Sequence, residues 1–156
     1  MRIGIIFYSK TGNTKSVAER LFKKLSNEFE DVKIEEITIT GDIEKGFQID
    51  NNPPVNDYDI VVFGSWVMAF SLNPVMKKYL SMLPSLKDKK IFCMVTQHFP
   101  YKWMGGSNCL NQMRKIVKSK YGELYLTDVV SWTNKKREEQ IEKIISSFNN
   151  AIQELK

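Results

Sequence analysis

A short loop rich in hydrogen-bonding residues separates an apolar run from an amphipathic one. It comprises Ser9, Lys10, Thr11, Gly12, Asn13 and Thr14. If a helix begins here, its free backbone N–H groups and the positive end of its dipole favour an anion. The hydroxyls add neutral donors, and Gly12 permits close approach of a ligand to the backbone. The loop therefore predicts a phosphate site, while a simple helix cap by Thr11 or Thr14 would use the same residues.

The spacing of this loop excludes two familiar nucleotide motifs. Neither GxxxxGK[ST], the phosphate loop of many nucleotide hydrolases, nor GxGxxG, the dinucleotide fingerprint, is present. A phosphate held here must therefore be bound in another structural context.

Aromatic side chains are concentrated after two further apolar runs. The candidate binding residues are Ser65, Trp66, Val67 and Met68 after the first run, and Thr96, Gln97, His98, Phe99, Tyr101, Trp103 and Gly105 after the second. Because large apolar side chains are normally buried, loops that carry several of them favour a flat aromatic ligand or a buried interface. Together with the phosphate loop, they predict a site for a mononucleotide.

The periodicity of apolar residues predicts strands that alternate with helices. Near-continuous apolar runs, typical of strands buried on both faces, occur at 2–8, 59–64, 90–96 and 124–132, with a weaker strand at 32–39. Apolar residues three or four apart predict helices within 17–29, 75–83, 110–117 and 141–155. Residues 40–58 leave room for only a short helix. This alternation predicts a parallel sheet covered on both sides, with ligands beyond the carboxyl ends of its strands.

Length and composition favour one soluble domain. A chain of 156 residues with 42% hydrophobic content has the usual size of a single domain, here residues 1–156. No apolar stretch approaches the roughly 18 to 20 residues of a membrane span, and no leader segment is recognisable, so we expect a cytoplasmic protein without membrane contact. Cys93 and Cys109 are too far apart for a CxxC site, which favours structural thiols and no metal.

Positive charge is concentrated in the second half of the chain. Residues 1–75 contain 8 Lys and Arg against 11 Asp and Glu, whereas residues 76–156 contain 15 against 7. Lysine clusters usually mark solvated surfaces, and an acidic partner is the second interpretation. We expect no nucleic acid, because no nucleic-acid motif accompanies the charge.

The chain resembles the flavodoxin family at the residues described above. The loop at 9–14 fits the family's [ST]-x-T-G-x-[TS] phosphate loop, and the runs at 59–65 and 96–97 support the match over essentially the whole chain. The resemblance implies an α/β fold of three layers, doubly wound, with a five-stranded parallel sheet in the order 2-1-3-4-5. It also implies noncovalent FMN, with the phosphate held by residues 9–14 and the ring flanked by residues 65–68 and 96–103.

Two functions fit this resemblance. The first is an electron carrier that serves redox partner proteins through the exposed edge of FMN. The second is an NAD(P)H-dependent FMN or quinone reductase of the same fold. Ala69 stands where flavodoxins often have a glycine that supports one-electron chemistry, and a pI near 9.1 departs from their common acidity. Lys102 and His98 are candidates for tuning the flavin, and both monomer and homodimer stay open.

Overall fold

Five parallel strands form the centre of the protein. The computed structural model describes residues 1–156. In chain order the elements are β1 (Ile3–Phe7), α1 (Asn13–Ser26), β2 (Val32–Glu36), β3 (Thr38–Asp42), β4 (Gly46–Asn51), β5 (Ile60–Met68), β6 (Ser71–Leu72), α2 (Pro74–Met82), β7 (Lys90–Gln97), α3 (Gly106–Ser119), β8 (Glu123–Ser131) and α4 (Arg137–Glu154). The parallel strands lie in the order β2-β1-β5-β7-β8. With β3, β4 and β6 set aside, this is the predicted order 2-1-3-4-5, so the fold prediction is confirmed.

The sheet separates two hydrophobic layers. Helices α1 and α4 cover one face, where Ile3, Ile5 and Phe7 of β1 contribute to the core. Helices α2 and α3 cover the other face, where Ile6 points. Every residue of β1 is buried, because a central parallel strand has a helical layer on both sides. This explains why its sequence reads as a continuous apolar run.

A β-hairpin takes the place of the short helix that was predicted within residues 40–58, so that prediction is wrong. Strands β3 and β4 pair antiparallel, and their partly buried Phe47 and Ile49 pack against the core on the α2 and α3 side. The turn is closed by Asp42, whose Oδ1 accepts from the N–H groups of Glu44 and Lys45 at 2.8 and 2.9 Å. An aspartate that bonds the backbone two and three residues ahead favours a turn over a helix.

The strand order reverses between β1 and β5, and the site lies at this point. Strand β1 pairs with β2 on one side and β5 on the other, so the loops that leave β1 and β5 diverge to opposite faces. In open sheets of this kind the crevice at the reversal is the usual ligand site. No helix is both long and apolar enough to cross a membrane.

Candidate functional site

The loop after β1 is shaped by Ser9. Its Oγ accepts from the backbone N–H groups of Gly12 and Lys15, both at 3.2 Å. Gly12 is the N-cap residue of α1, with φ 92° and no side-chain cap, a left-handed conformation that favours glycine. Neither Thr11 nor Thr14 therefore caps the helix, and the loop wraps around the Ser9 hydroxyl instead.

The first turn of α1 presents unpaired donors. The N–H groups of Thr11, Asn13 and Thr14 make no hydrogen bond to a protein acceptor. Such groups, together with the helix dipole, stabilise negative charge at a helix N-terminus. No acidic residue lies in this first turn, and Lys10 adds a cation beside it. The arrangement fits an anion.

Thr14 connects this loop to the middle of the sheet. Its hydroxyl shares a hydrogen bond of 2.8 Å with that of Thr96 on β7. Both residues are buried, with exposures of 1% and 3%. Because the Thr14 hydroxyl is engaged beneath the loop, its backbone N–H is the group that faces outward.

A cleft of about 260 Å³ opens beside the loop. Its eight lining residues are Lys10, Thr11, Asn13, Trp66, Val67, Thr96, Gln97 and His98. They come from the loop after β1 and from the carboxyl ends of β5 and β7, so the structure joins parts of all three predicted segments. None of the eight is acidic. Donors at one end and an indole at the other suit a phosphate joined to a planar ring.

Trp66 forms the aromatic wall of the cleft. Its ring lies 6.4 Å from that of Tyr8, and the Lys10 ammonium is 5.9 Å from the indole centroid. The Nε1 atom of Trp66 is buried without a hydrogen-bond partner. Burial raises the pKa of Tyr8 above its usual value, which keeps this phenol neutral near the cleft. Tyr8 is not among the predicted site residues, since it is the last residue of the apolar run at 2–8 and directly follows β1.

The second predicted loop is largely a strand. Strand β5 continues to Met68, which pairs with Ser71 of β6 across a two-residue turn. Ala69 and Phe70 form this turn, with φ 48° and 62°, the left-handed geometry of a tight hairpin. Met68 therefore lies in the β5–β6 hairpin and does not line the cleft.

Ser65 supports this hairpin from below. It is fully buried, and its Oγ accepts from Nδ2 of Asn73. The same amide also donates to the Trp66 carbonyl at 2.8 Å, while Asn73 Oδ1 caps α2 by accepting from Met76 N. Asn73 is the N-cap residue of α2. Its contacts show that it also positions Trp66.

Gln97 holds the third loop in place. Its Nε2 donates to the carbonyls of Phe99 and Tyr101 at 2.9 and 2.5 Å and to Ser131 Oγ at 3.1 Å. Its Oε1 accepts from Gly106 N at 2.7 Å. One buried amide thus fixes both ends of the loop between β7 and α3.

The aromatic residues of this loop lie outside the cleft, except that His98 lines it. Phe99 stacks on Phe70 of the hairpin turn, with centroids 5.4 Å apart. Tyr101 stacks on Trp103 at 6.2 Å, and these two side chains are 56% and 76% exposed. They form an exposed aromatic surface next to the cleft.

Gly105 allows the hairpin to approach this loop. Its φ is 115°, and a Cβ added there would lie 2.8 Å from the Phe70 Cα atom. Asn108 Nδ2 donates to the Phe70 carbonyl at 3.1 Å. The hairpin turn is therefore held against the N-terminus of α3, and Gly105 contributes to the site through backbone packing.

Lys102 is directed towards β8. Its ammonium pairs with Asp128 at 2.8 Å, and Lys143 lies 3.7 Å from the same carboxylate. Asp128 is only 12% exposed. The Lys102 charge is thus largely balanced by a neighbouring carboxylate, as expected for a structural ion pair.

Comparison with known protein families identifies the family of this chain. The family model of the flavodoxin domain matches residues 4–131. This chain belongs to the flavodoxin family. FMN, the cofactor of that family, is therefore the cofactor of this flavoprotein.

Solved flavodoxins have the same fold despite low sequence identity. The chain is similar to oxidised flavodoxin 2 from Bacillus cereus, with 17% identity, 97% and 99% of the two chains covered and a TM-score of 0.70. It is also similar to a flavodoxin from Streptococcus pneumoniae TIGR4, with 19% identity, 94% and 96% coverage and a TM-score of 0.66. A flavoprotein from Lactobacillus acidophilus NCFM, solved in complex with FMN, has 16% identity, 91% and 97% coverage and a TM-score of 0.61. No curated protein sequence matches the chain.

Proposed function

We propose that this flavoprotein is an electron carrier that serves redox partner proteins. The cleft is the main support for this proposal, because unpaired N–H donors and the Trp66 indole line it and no carboxylate does. Bound FMN supplies the redox chemistry, while the protein supplies orientation, stacking and electrostatics. We place this activity in the cytoplasm and expect the protein to act as a monomer or a homodimer.

The phosphate end of FMN is assigned to residues 9–14. The N–H groups of Thr11, Asn13 and Thr14 donate to phosphate oxygens, and the exposed Thr11 hydroxyl adds another donor. Ser9 and Gly12 maintain the shape of the loop, and Lys10 contributes positive charge. These roles are supported by the unpaired donors and by the absence of an acidic lining residue.

The ring end is assigned to the walls of the cleft. Trp66 and His98 would flank the isoalloxazine, and Val67 and Thr96 also line the cleft that would hold it. Ser65 and Gln97 position these groups from buried sites. Met68, Phe99, Tyr101 and Trp103 lie beyond the cleft, so we assign them to the surface around the ring edge, with Gly105 as the point of close packing between the hairpin and the loop.

One observation favours a second candidate, an NAD(P)H-dependent FMN or quinone reductase. The stacked and exposed pair of Tyr101 and Trp103 offers a flat surface beside the cleft on which a nicotinamide or quinone ring can stack. The two functions differ in whether the protein accepts hydride from a pyridine nucleotide without a partner enzyme.

Titration of the apoprotein with FMN tests the site. The Thr11→Val substitution removes one hydrogen bond to a charged phosphate, worth about 1.5–3 kcal/mol. It should therefore weaken FMN binding about 10- to 100-fold. Quenching of the flavin fluorescence measures the binding. Ser16→Ala is the matched control, since this exposed hydroxyl lies on the same helix outside the cleft. Equal affinities for wild type and Thr11→Val would contradict the phosphate assignment.

Anaerobic addition of NADPH to the FMN-bound protein separates the two functions. An electron carrier keeps its oxidised flavin absorbance until a partner reductase is added. Rapid bleaching by NADPH alone would assign the protein to the reductases.

A further inference from the structure

The layer formed by α2 and α3 carries only positive charge. Helix α2 contains Lys77 and Lys78, and helix α3 contains Arg114, Lys115 and Lys118, whereas neither contains Asp or Glu. Over the longer stretch from residue 60 to residue 122, Asp88 is the only acidic residue. Five of the basic residues in the second half of the chain therefore lie on these two helices without an acidic residue among them.

The opposite layer pairs several of its charges internally. Arg20 of α1 pairs with Glu138 and Glu142 of α4, and Lys24 pairs with Glu28. By contrast, Lys77, Arg114, Lys115 and Lys118, here named the basic row, form no salt bridge with any carboxylate. Their positive potential is thus available to an external partner.

A groove with an apolar floor lies within this row. It has a volume of about 290 Å³ and lies between β6, α2 and α3, and its lining combines the charged Lys77 and Lys115 with the apolar Leu72 and Ile116. Apolar surface surrounded by charge is typical of a protein interface, where rim charges steer association and the centre contributes contact area. Nucleic acid, in contrast, is bound mainly through its phosphates.

The groove is connected directly to the wall of the cleft. Gln112 of α3 accepts from Leu72 N at 3.2 Å and donates to Ser71 Oγ at 2.6 Å. One helical turn earlier, Asn108 donates to the Phe70 carbonyl. Lys115 follows Asn108 by seven residues, about 10 Å along the helix. A protein seated on the basic row would therefore also reach the hairpin turn beside the cleft.

We propose that the basic row and its groove are the docking surface for an acidic redox protein. The proposal rests on the electron-carrier function and adds to it the charge of the partner and the face on which it binds. Acidic side chains of the partner pair with Lys77 and Lys115, while an apolar side chain enters the groove between them. The exposed pair of Phe70 and Phe99 continues this surface toward the flavin edge.

Binding of a model acidic redox protein tests the proposal. The probe is the soluble haem domain of cytochrome b5, which is acidic around its haem, and basic cytochrome c is the opposite-charge control. Binding to the FMN-loaded protein is measured by calorimetry at several salt concentrations. We expect the acidic probe to bind and to weaken steeply with salt, because exposed charges are screened over about 8 Å at physiological ionic strength.

The Lys77→Gln and Lys115→Gln double variant locates the surface. Both side chains are exposed and form no salt bridge, so the fold should tolerate the change. We expect at least a fivefold loss of affinity for the acidic probe at low salt. Lys23→Gln with Lys33→Gln is the matched control, because it removes the same charge from α1 and β2 without touching the row, and its affinity should stay unchanged.

Other outcomes would overturn the proposal. If the Lys77 and Lys115 variant and the Lys23 and Lys33 variant lost equal affinity for the acidic probe, the loss would reflect net charge and not a docking surface. If basic cytochrome c bound more tightly than the acidic probe, the partner's charge would be the opposite of the one proposed. If a 20-base-pair DNA duplex bound more tightly than the acidic probe, and the Lys77 and Lys115 variant lost that binding, the basic row would be assigned to nucleic acid. Rapid bleaching of the bound flavin by NADPH alone would refute the electron-carrier function and leave the docking result intact, because probe binding is measured without electron transfer.

Discussion

The buried pair of Thr14 and Thr96 offers a sharp test of how the phosphate loop is supported. Thr14→Val keeps the shape of the side chain and removes the hydroxyl that lies 2.8 Å from that of Thr96. Thr96 is 3% exposed, and its hydroxyl would lose the protein partner that Thr14 provides. Leaving a buried polar group unpaired costs about 1–3 kcal/mol. We therefore expect Thr14→Val to lower the free energy of unfolding by about this amount.

Urea unfolding of the apoprotein measures the loss. With a slope of about 1–3 kcal/mol per molar urea, the midpoint should fall by about 1 M for Thr14→Val and similarly for Thr96→Val. The double variant removes both hydroxyls and should lose less than the two single variants together, with a coupling of about 1 kcal/mol. Thr11→Val is the matched control, because its hydroxyl is exposed and its midpoint should not change.

The same variants separate support of the loop from contact with FMN. Thr14→Val should change FMN affinity less than Thr11→Val, since the Thr14 hydroxyl faces Thr96. Strict additivity of the two buried substitutions would refute the pairing. A greater loss of FMN affinity in Thr14→Val than in Thr11→Val would refute the assignment of Thr14 to a supporting role.

Three further predictions follow from individual contacts. Gly12→Ala should destabilise the protein by about 1 kcal/mol, because its φ of 92° is unfavourable for alanine. No further cost is expected, since no atom lies within 4 Å of the new Cβ. Thermal unfolding measures the change, and a gain in stability would contradict the prediction. Asn73→Ala should cost about 1–3 kcal/mol, since it removes the cap of α2 and the amide that donates to Ser65 and to the Trp66 carbonyl. A change below about 0.5 kcal/mol in urea unfolding would disprove this role. Burial raises the pKa of Cys109 to about 12 and that of Cys93 further. Neither thiol should therefore react with Ellman's reagent at pH 8 until the protein unfolds. Prompt labelling of the native protein would contradict this prediction.

The sequence predicted the parallel sheet because burial on both faces leaves a direct pattern. Strands β1, β5 and β7 are apolar at nearly every position, and the helices repeat their apolar residues at helical spacing. The hairpin of β3 and β4 left a weaker pattern, because only Phe47 and Ile49 alternate clearly in β4. Gly41 and Gly46 both adopt positive φ near the turn of this hairpin.

The site was predicted at the level of segments, and individual contacts depended on tertiary structure. The unpaired donors of residues 11–14 follow from the position of the loop before a helix, which the sequence contains. Which aromatic residue forms the cleft wall does not follow from spacing. Trp66 lies in the cleft because β5 continues past Ser65, while Tyr101 and Trp103 are directed outward because Gln97 fixes the backbone of their loop.

The role of Gln97 makes the third loop an exchangeable part of the molecule. Its amide holds the backbone through carbonyl and N–H groups, so this support of the loop does not depend on the identity of side chains 99, 101 and 103. Those side chains can be replaced to alter partner recognition while Thr96 and His98 keep their places in the cleft. If the protein is an electron carrier as proposed, a library confined to these three positions would test new electron-transfer partners while the residues that line the cleft stay unchanged.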